Sequence, residues 1–312
     1  MLIYNKFPYK KYYIDVDKLK SKLIKLSHVN VNDYLTKTNC NAIFKITKKE
    51  MFEVDQLSDI YCEQIRIKCI FGKYTKSPYE DFFNTDVQQR IHDYLKDHQL
   101  KHEYANIRYA YSIFKTVKVC RRFSITHSLI IIKHFGAKRV FDLSAGWGDR
   151  LIGALYANVD VYHGYDANEK LIKSYRKIIQ NNKKKNQDAI VHCTPAENAN
   201  IHKNYYDLFI SSPPFFDLEK YSDNKNQSDK RYNTLNTWLH SFFNIYLEKI
   251  FKGLKLNKFA CIYISTYKNI DKYMHRYVTV ILKQQFVGHI FIINSIDEQQ
   301  QNTKMWIFKK IM

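Results

Sequence analysis

The hydrophobic pattern changes character along the chain. Up to about residue 100 the polarity is mixed. Apolar residues there recur at helical spacing in two places, Leu57, Ile60, Tyr61, Ile65 and Cys69, then Val87 to Tyr94. Ser77-Pro78 breaks the chain between them. Ile3 to Asp17 and Ile43 to Ile46 read as short strands. The apolar run Leu129 to Ile132 predicts a helix over Thr126 to Phe135, which Gly136 stops. From Lys138 onward, short apolar runs alternate with amphipathic stretches. Strands are predicted at 138–143, 159–165, 189–193, 206–211 and 258–265, with helices at 150–157, 169–181 and 238–251. Such alternation predicts an α/β domain with a parallel, doubly wound sheet. The end differs. Val287 to Asn294 and Lys304 to Lys310 are β-rich runs joined by a polar loop, 295–302, which predicts an antiparallel hairpin.

With 312 residues the chain can hold an α/β domain and a smaller extension. It contains no apolar run long enough to span a bilayer, and its start lacks the apolar block and cleavage site of a signal peptide. A soluble, intracellular protein without a membrane partner is expected. Six cysteines, Cys40, Cys62, Cys69, Cys120, Cys193 and Cys261, include no C-x-x-C pair, which fits reduced thiols and gives no reason to assign a metal. The formal charge of +20 suits a polyanionic partner. Most of the cations are Lys, however, and Ile, Asn, Tyr and Phe are abundant too. All have A/T-rich codons, so a biased microbial or viral genome is a second source of the charge. Between 101 and 137, Tyr104, Arg108, Tyr109, Tyr111, Lys115, Lys118, Arg121 and Arg122 interleave rings with cations. That texture suits stacking on bases beside paired phosphates.

Two stretches carry chemistry. Val140 to Arg150 reads V-F-D-L-S-A-G-W-G-D-R, a strand running through a glycine turn into a helix. Gly146 and Gly148 lack Cβ atoms, so backbone there can approach a ligand closely. The next strand ends in G-Y-D, which places Asp166 where a carboxylate accepts hydrogen bonds from ribose hydroxyls. A nicotinamide enzyme would also use that pairing, but Leu151 stands where the third glycine of G-x-G-x-x-G belongs. The second stretch, Asp207 to Glu219, is an apolar strand that stops at Ser212-Pro213-Pro214-Phe215.

Ser212-Pro213-Pro214-Phe215, placed after the fourth strand and behind an A-G-W-G loop, resembles the catalytic loop of S-adenosylmethionine-dependent amino methyltransferases of nucleic-acid bases. The resemblance continues through Phe216, Leu218, Glu219, Tyr221, Ser222, Gln227, Ser228, Tyr232 and Trp238. It implies a class I methyltransferase (Rossmann-like) fold over 101–312 and a mainly helical N-terminal extension, 1–100, that caps the domain or recognises substrate. It further implies S-adenosyl-L-methionine as cofactor, held by Asp142, Ser144, Ala145, Gly146, Gly148, Asp166 and Glu197. Asp142 would meet the methionine amino group and Glu197 would lie near the adenine. Ser212, Pro213, Pro214 and Phe215 would be catalytic. The Ser212 hydroxyl oxygen and the Pro213 carbonyl would accept the two hydrogens of an exocyclic amine, and Phe215 would stack on the base. Phe216, Glu219, Tyr221, Gln227, Ser228, Tyr232, Arg121 and Arg122 would contact substrate, partly from a mobile loop over 219–232. Ser at 212 is commoner among cytosine N4 enzymes, whereas the order with the cofactor loop first favours adenine N6. DNA is the expected polymer, RNA an alternative with the same chemistry, and a non-catalytic nucleic-acid-binding subunit a third reading. The target base must leave its stack or be single-stranded already.

Overall fold

The computed structural model describes residues 2–35, 42–45, 51–291 and 304–312. Strands in chain order are β1 (Ala42–Lys45), β2 (Ile70–Phe71), β3 (Arg139–Asp142), β4 (Val161–Asp166) and β5 (Asp188–Cys193), then β6 (Tyr206–Ser211), β7 (Glu219–Lys220), β8 (Leu254–Tyr263), β9 (Gln285–Phe291) and β10 (Lys304–Lys309). Five run parallel in the spatial order β5, β4, β3, β6, β8. Next to β8 comes β10, antiparallel to it, and then β9, antiparallel to β10. Counted from β3, the order is 3-2-1-4-5-7-6 with only the seventh strand reversed. This is the class I methyltransferase fold, Rossmann-like and closed by the expected antiparallel pair. The polar loop at 295–302 lies outside the described residues.

Side-chain alternation along the strands builds both faces. Val140, Leu208 and Ile210 point to one side, where they join the helices Ile125–His134 and Asp149–Tyr156. Phe141 and Phe209 point to the other, against Tyr246, Leu247 and Ile250 of the helix Asn244–Gly253. The chain leaves β3 toward one edge of the sheet and β6 toward the other, so a crevice opens beyond the carboxyl ends of these two central strands. Both the glycine loop and the loop of Ser212-Pro213-Pro214-Phe215 begin there.

The N-terminal residues are mainly helical. Their helices include Val16–Ser27, Leu57–Arg66, Thr85–Asp97 and Tyr104–Phe114. The strand expected over Ile3 to Asp17 is instead a helical turn at Lys10–Tyr12 followed by the first helix. Asp15 explains this, because its carboxylate caps the helix by accepting from the Lys18 N–H at 3.0 Å. Leu19, Leu23, Val54, Leu57 and Cys62 share the core on the face of the sheet to which Val140 points. β1 extends the sheet as an eighth strand, parallel to β9. β2 pairs antiparallel with β7, so the N-terminal part holds the chain that follows Phe215.

Candidate active site

The crevice deepens into a cavity walled by the loops that follow four strands. Ser144, Gly146, Trp147, Asp149 and Arg150 come from the loop after β3, and Asp166 and Asn168 from the end of β4. Glu197 follows β5, and Ser212, Pro214 and Phe215 follow β6. Arg121 and Arg122, together with Glu219, Tyr221, Gln227 and Ser228, complete it.

Gly146 and Gly148 both adopt left-handed backbone, with φ of +59° and +82°. At Gly148 a Cβ would also lie 2.5 Å from Ile178 Cδ1, so glycine is required for conformation and for space. The Gly146 N–H donates to Asp166 Oδ2 at 2.8 Å, and the Asn168 N–H donates to Oδ1 at 2.8 Å. Burial pushes the Asp166 carboxyl up to about 6 against the pull of these two donors. The Asp149 carboxyl is pushed up to about 7, again chiefly by burial, and accepts from Ser58 Oγ at 2.6 Å.

Asp142 does not reach the cavity. Its carboxylate is fully buried behind the glycine loop, where Arg150 Nε (2.7 Å), Tyr162 Oη (3.0 Å), Ser211 Oγ (2.5 Å) and the Ser144 N–H (3.0 Å) donate to it. All its acceptor positions are used within the protein, so it holds the two loops together and has none left for an amino group. Arg150, which also donates to the Ser144 carbonyl, faces the cavity, as does Ser144. Ala145 and Gly148 likewise shape the loop from behind. Ala145 is 1% exposed, and Gly148 precedes the first turn of the helix Asp149–Tyr156.

Strand periodicity decides the fate of the two serines. Ser211 turns into the buried cluster, and Ser212 turns to the cavity. Among the described residues the Ser212 hydroxyl and the Pro213 carbonyl make no hydrogen bond. Pro213 is buried, while Pro214 and Phe215 are half-buried on the wall. The Phe215 ring centre lies 6.2 Å from that of Tyr263. Phe216, expected to touch substrate, turns the other way. Its φ of +57° folds it back into the core, 6% exposed, against Trp238.

The segment 219–232 is anchored rather than free. Beyond the β2–β7 pairing, Glu219 accepts from the Arg121 N–H (3.0 Å) and from Tyr221 Oη (2.5 Å), and burial raises its carboxyl. Ser228 Oγ accepts from Trp238 Nε1 at 3.1 Å. Tyr232 sits outside the cavity wall and meets it at Glu197, to whose Oε1 its hydroxyl donates at 3.2 Å. Arg231 pairs with the same oxygen at 2.8 Å. Among the described residues the other oxygen, Glu197 Oε2, is buried without a partner, as is Gln227 Nε2. Arg122 faces the cavity while pairing inward with Asp59 at 2.7 Å, and the Arg121 side chain is exposed. Trp147, Asp149 and Arg150 were missed as site residues. The signal lay within the glycine loop itself, whose three remaining side chains all reach the cavity.

No family model and no curated protein matches the chain. Solved structures of similar fold include TrmN from Thermus thermophilus, with 11% identity over 60% of this chain and 49% of that one, TM-score 0.44. The tRNA methyltransferase TrmI from Aquifex aeolicus shares 14% identity over 62% of this chain and 71% of that one, TM-score 0.42. A putative S-adenosylmethionine-dependent methyltransferase from Listeria monocytogenes shares 15% over 60% of this chain and 98% of that one, TM-score 0.41. At such identities and scores these likenesses lend nothing to the choice of substrate.

Proposed function

We propose that the chain transfers a methyl group from S-adenosylmethionine to the exocyclic amino group of a base in DNA, with adenine N6 as target. One observation carries the reading. Ser212, Pro214 and Phe215 open into the same cavity as Gly146, Asp166 and Glu197, across the junction of β3 and β6.

The residues present fit such a cofactor. Asp166 offers a cavity-facing carboxylate to ribose hydroxyls. Glu197 Oε2 is a buried acceptor with no donor among the described residues, a cost of about 1–3 kcal/mol that an adenine amino group would remove. Ser144, Gly146 and Arg150 line the place left for the amino-acid end. When bound, the cofactor supplies an electrophilic methyl group.

An exocyclic amine is a poor nucleophile because its lone pair is delocalised into the ring. The Ser212 hydroxyl oxygen and the Pro213 carbonyl, both without a partner among the described residues, accept its two hydrogens and favour the pyramidal, more nucleophilic nitrogen. Proline fixes φ at 213 and 214, so the carbonyl direction is set before substrate arrives. Phe215 and Tyr263 present ring surface to the base, worth about 1–3 kcal/mol if it stacks. Gln227 Nε2, a buried donor without an acceptor among the described residues, would read a ring nitrogen or carbonyl of the base.

Labelled methyl transfer to duplex DNA, single-stranded DNA and RNA in parallel, with nucleoside analysis, tests this reading. Label in N6-methyladenine of DNA is the expected product. Label in RNA alone would move the chemistry to the other polymer, and label in N4-methylcytosine would change the base.

A further inference from the structure

A second cleft lies in the N-terminal half, between the turn Lys10–Tyr12 and the helix Tyr104–Phe114. Its wall carries three cations, Lys10, Arg108 and Lys115, and no acidic residue. The balancing carboxylates sit behind it. Lys10 Nζ is 2.7 Å from Asp59 and Arg108 Nη2 is 2.8 Å from Glu63, and both acids are 1% exposed at the side chain. They hold the cations in place from within and leave the field of the cleft positive toward solvent.

Lys115 strengthens that field. The residue is exposed, and its ammonium makes no ion pair or hydrogen bond among the described residues. Partial burial, then the nearby charge of Arg108, lower its affinity for a proton, as expected for a cation crowded by another with no anion between them. Beside these charges stand exposed rings. Tyr109, on the wall, is 59% exposed, and Tyr12 and Tyr104 pair at 4.7 Å between ring centres while both remain open to solvent. Cations interleaved with exposed aromatic faces are what a single-stranded polynucleotide binds, through its phosphates and its bases.

The cleft also communicates with the cavity. Asp59 pairs with Lys10 on the cleft side and with Arg122, a cavity wall residue, at 2.7 Å on the other. Arg66, at 2.5 Å, completes the cluster. One buried carboxylate therefore fixes a cation on each surface.

We propose that this cleft holds a phosphodiester segment of single-stranded nucleic acid, with Tyr109 stacking on an adjacent base, while the target base enters the main cavity. The proposal rests on the reading of the chain as a nucleic-acid enzyme, and its test does not depend on methyl transfer. Binding of short fluorescent single-stranded DNA and RNA is followed by anisotropy, without cofactor, across a range of salt. Lys115→Gln should lower the slope of log affinity against log salt by roughly 0.7, the value for one phosphate on a single strand. Tyr109→Ser should weaken binding roughly fivefold or more without changing the slope. Lys272→Gln, the same charge change on a different exposed helix, should leave both unchanged. Variants at 115 and 109 that bind like the parent would overturn the proposal, as would a parent that binds no oligonucleotide. Full displacement by inorganic phosphate or adenosine monophosphate would also overturn it, by assigning the cleft to a small phosphate ester. If binding behaves as expected but no polymer is methylated, the catalytic reading fails and the cleft stands. If methylation proceeds and the variants bind normally, the reverse holds.

Discussion

The Ser211 hydroxyl donates to the Asp142 carboxylate at 2.5 Å, joining the last residue of β6 to the last residue of β3. Tyr246 donates in turn to Ser211 at 2.9 Å, and Arg150 and Tyr162 close the cluster around Asp142. The residues that follow this junction are the glycine loop on one strand and Ser212 on the other. The distance between the glycine loop and the proline loop is thus set by one buried carboxylate.

Asp142→Ala should therefore destabilise the fold by about 3–5 kcal/mol, because it leaves the Arg150 cation buried without its counter-charge. Ser211→Ala removes one neutral donor and should cost about 1–2 kcal/mol. Urea denaturation compares the two, and equal losses would contradict this account of the junction.

Gly148→Ala should cost about 1–3 kcal/mol from backbone strain at φ +82°, with an added clash against Ile178 Cδ1. Ile178→Ala removes the clashing atom and leaves the strain. The double variant should accordingly be less destabilised than the sum of the two single variants. Strict additivity in the denaturation midpoints would show that the helix Ile172–Asn182 shifts freely and that the contact matters little.

The Asp166 carboxyl, raised to about 6, gives opposite pH signs for stability and for binding. A carboxyl raised on folding contributes most stability below its unfolded value, and that contribution is lost as pH rises through about 6. Ribose hydroxyls donate to the ionised form, so affinity for S-adenosylhomocysteine should fall as pH drops below about 6, by up to about tenfold per unit. Calorimetric titration across this range should show the step in the parent and none at that pH in Asp166→Asn. Asp149, raised to about 7 on the same wall, has its own step, which Asp149→Asn should remove. A flat profile in the parent would remove Asp166 from the ribose site.

Much of the frame was legible because its strands are short apolar runs with a turn or a polar stretch after each. Tyr206–Ser211 has the boundaries that its composition implies. The two loops were legible for the same reason, since G-x-G and P-P mark where regular structure stops. Side-chain direction was not. Nothing in the local spelling shows that Asp142 faces Arg150 or that Phe216, one residue beyond Phe215, turns back onto Trp238 through a left-handed backbone. The β2–β7 ladder is two residues on each strand, too short to show a period, and its partner lies far away in the chain. Ile3 to Asp17 misled because alternation over a few residues carries less weight than one well-placed helix cap at Asp15.

The most direct measurement is methyl transfer by Ser212→Ala beside the parent chain, on duplex DNA, single-stranded DNA and RNA, with cofactor affinity measured on the same samples. The account predicts transfer to DNA adenine by the parent and a loss of roughly 10²-fold in the variant, as for removal of one preorganised polar group at a reacting centre, with cofactor affinity unchanged. Full turnover by Ser212→Ala would contradict the assignment of the catalytic loop.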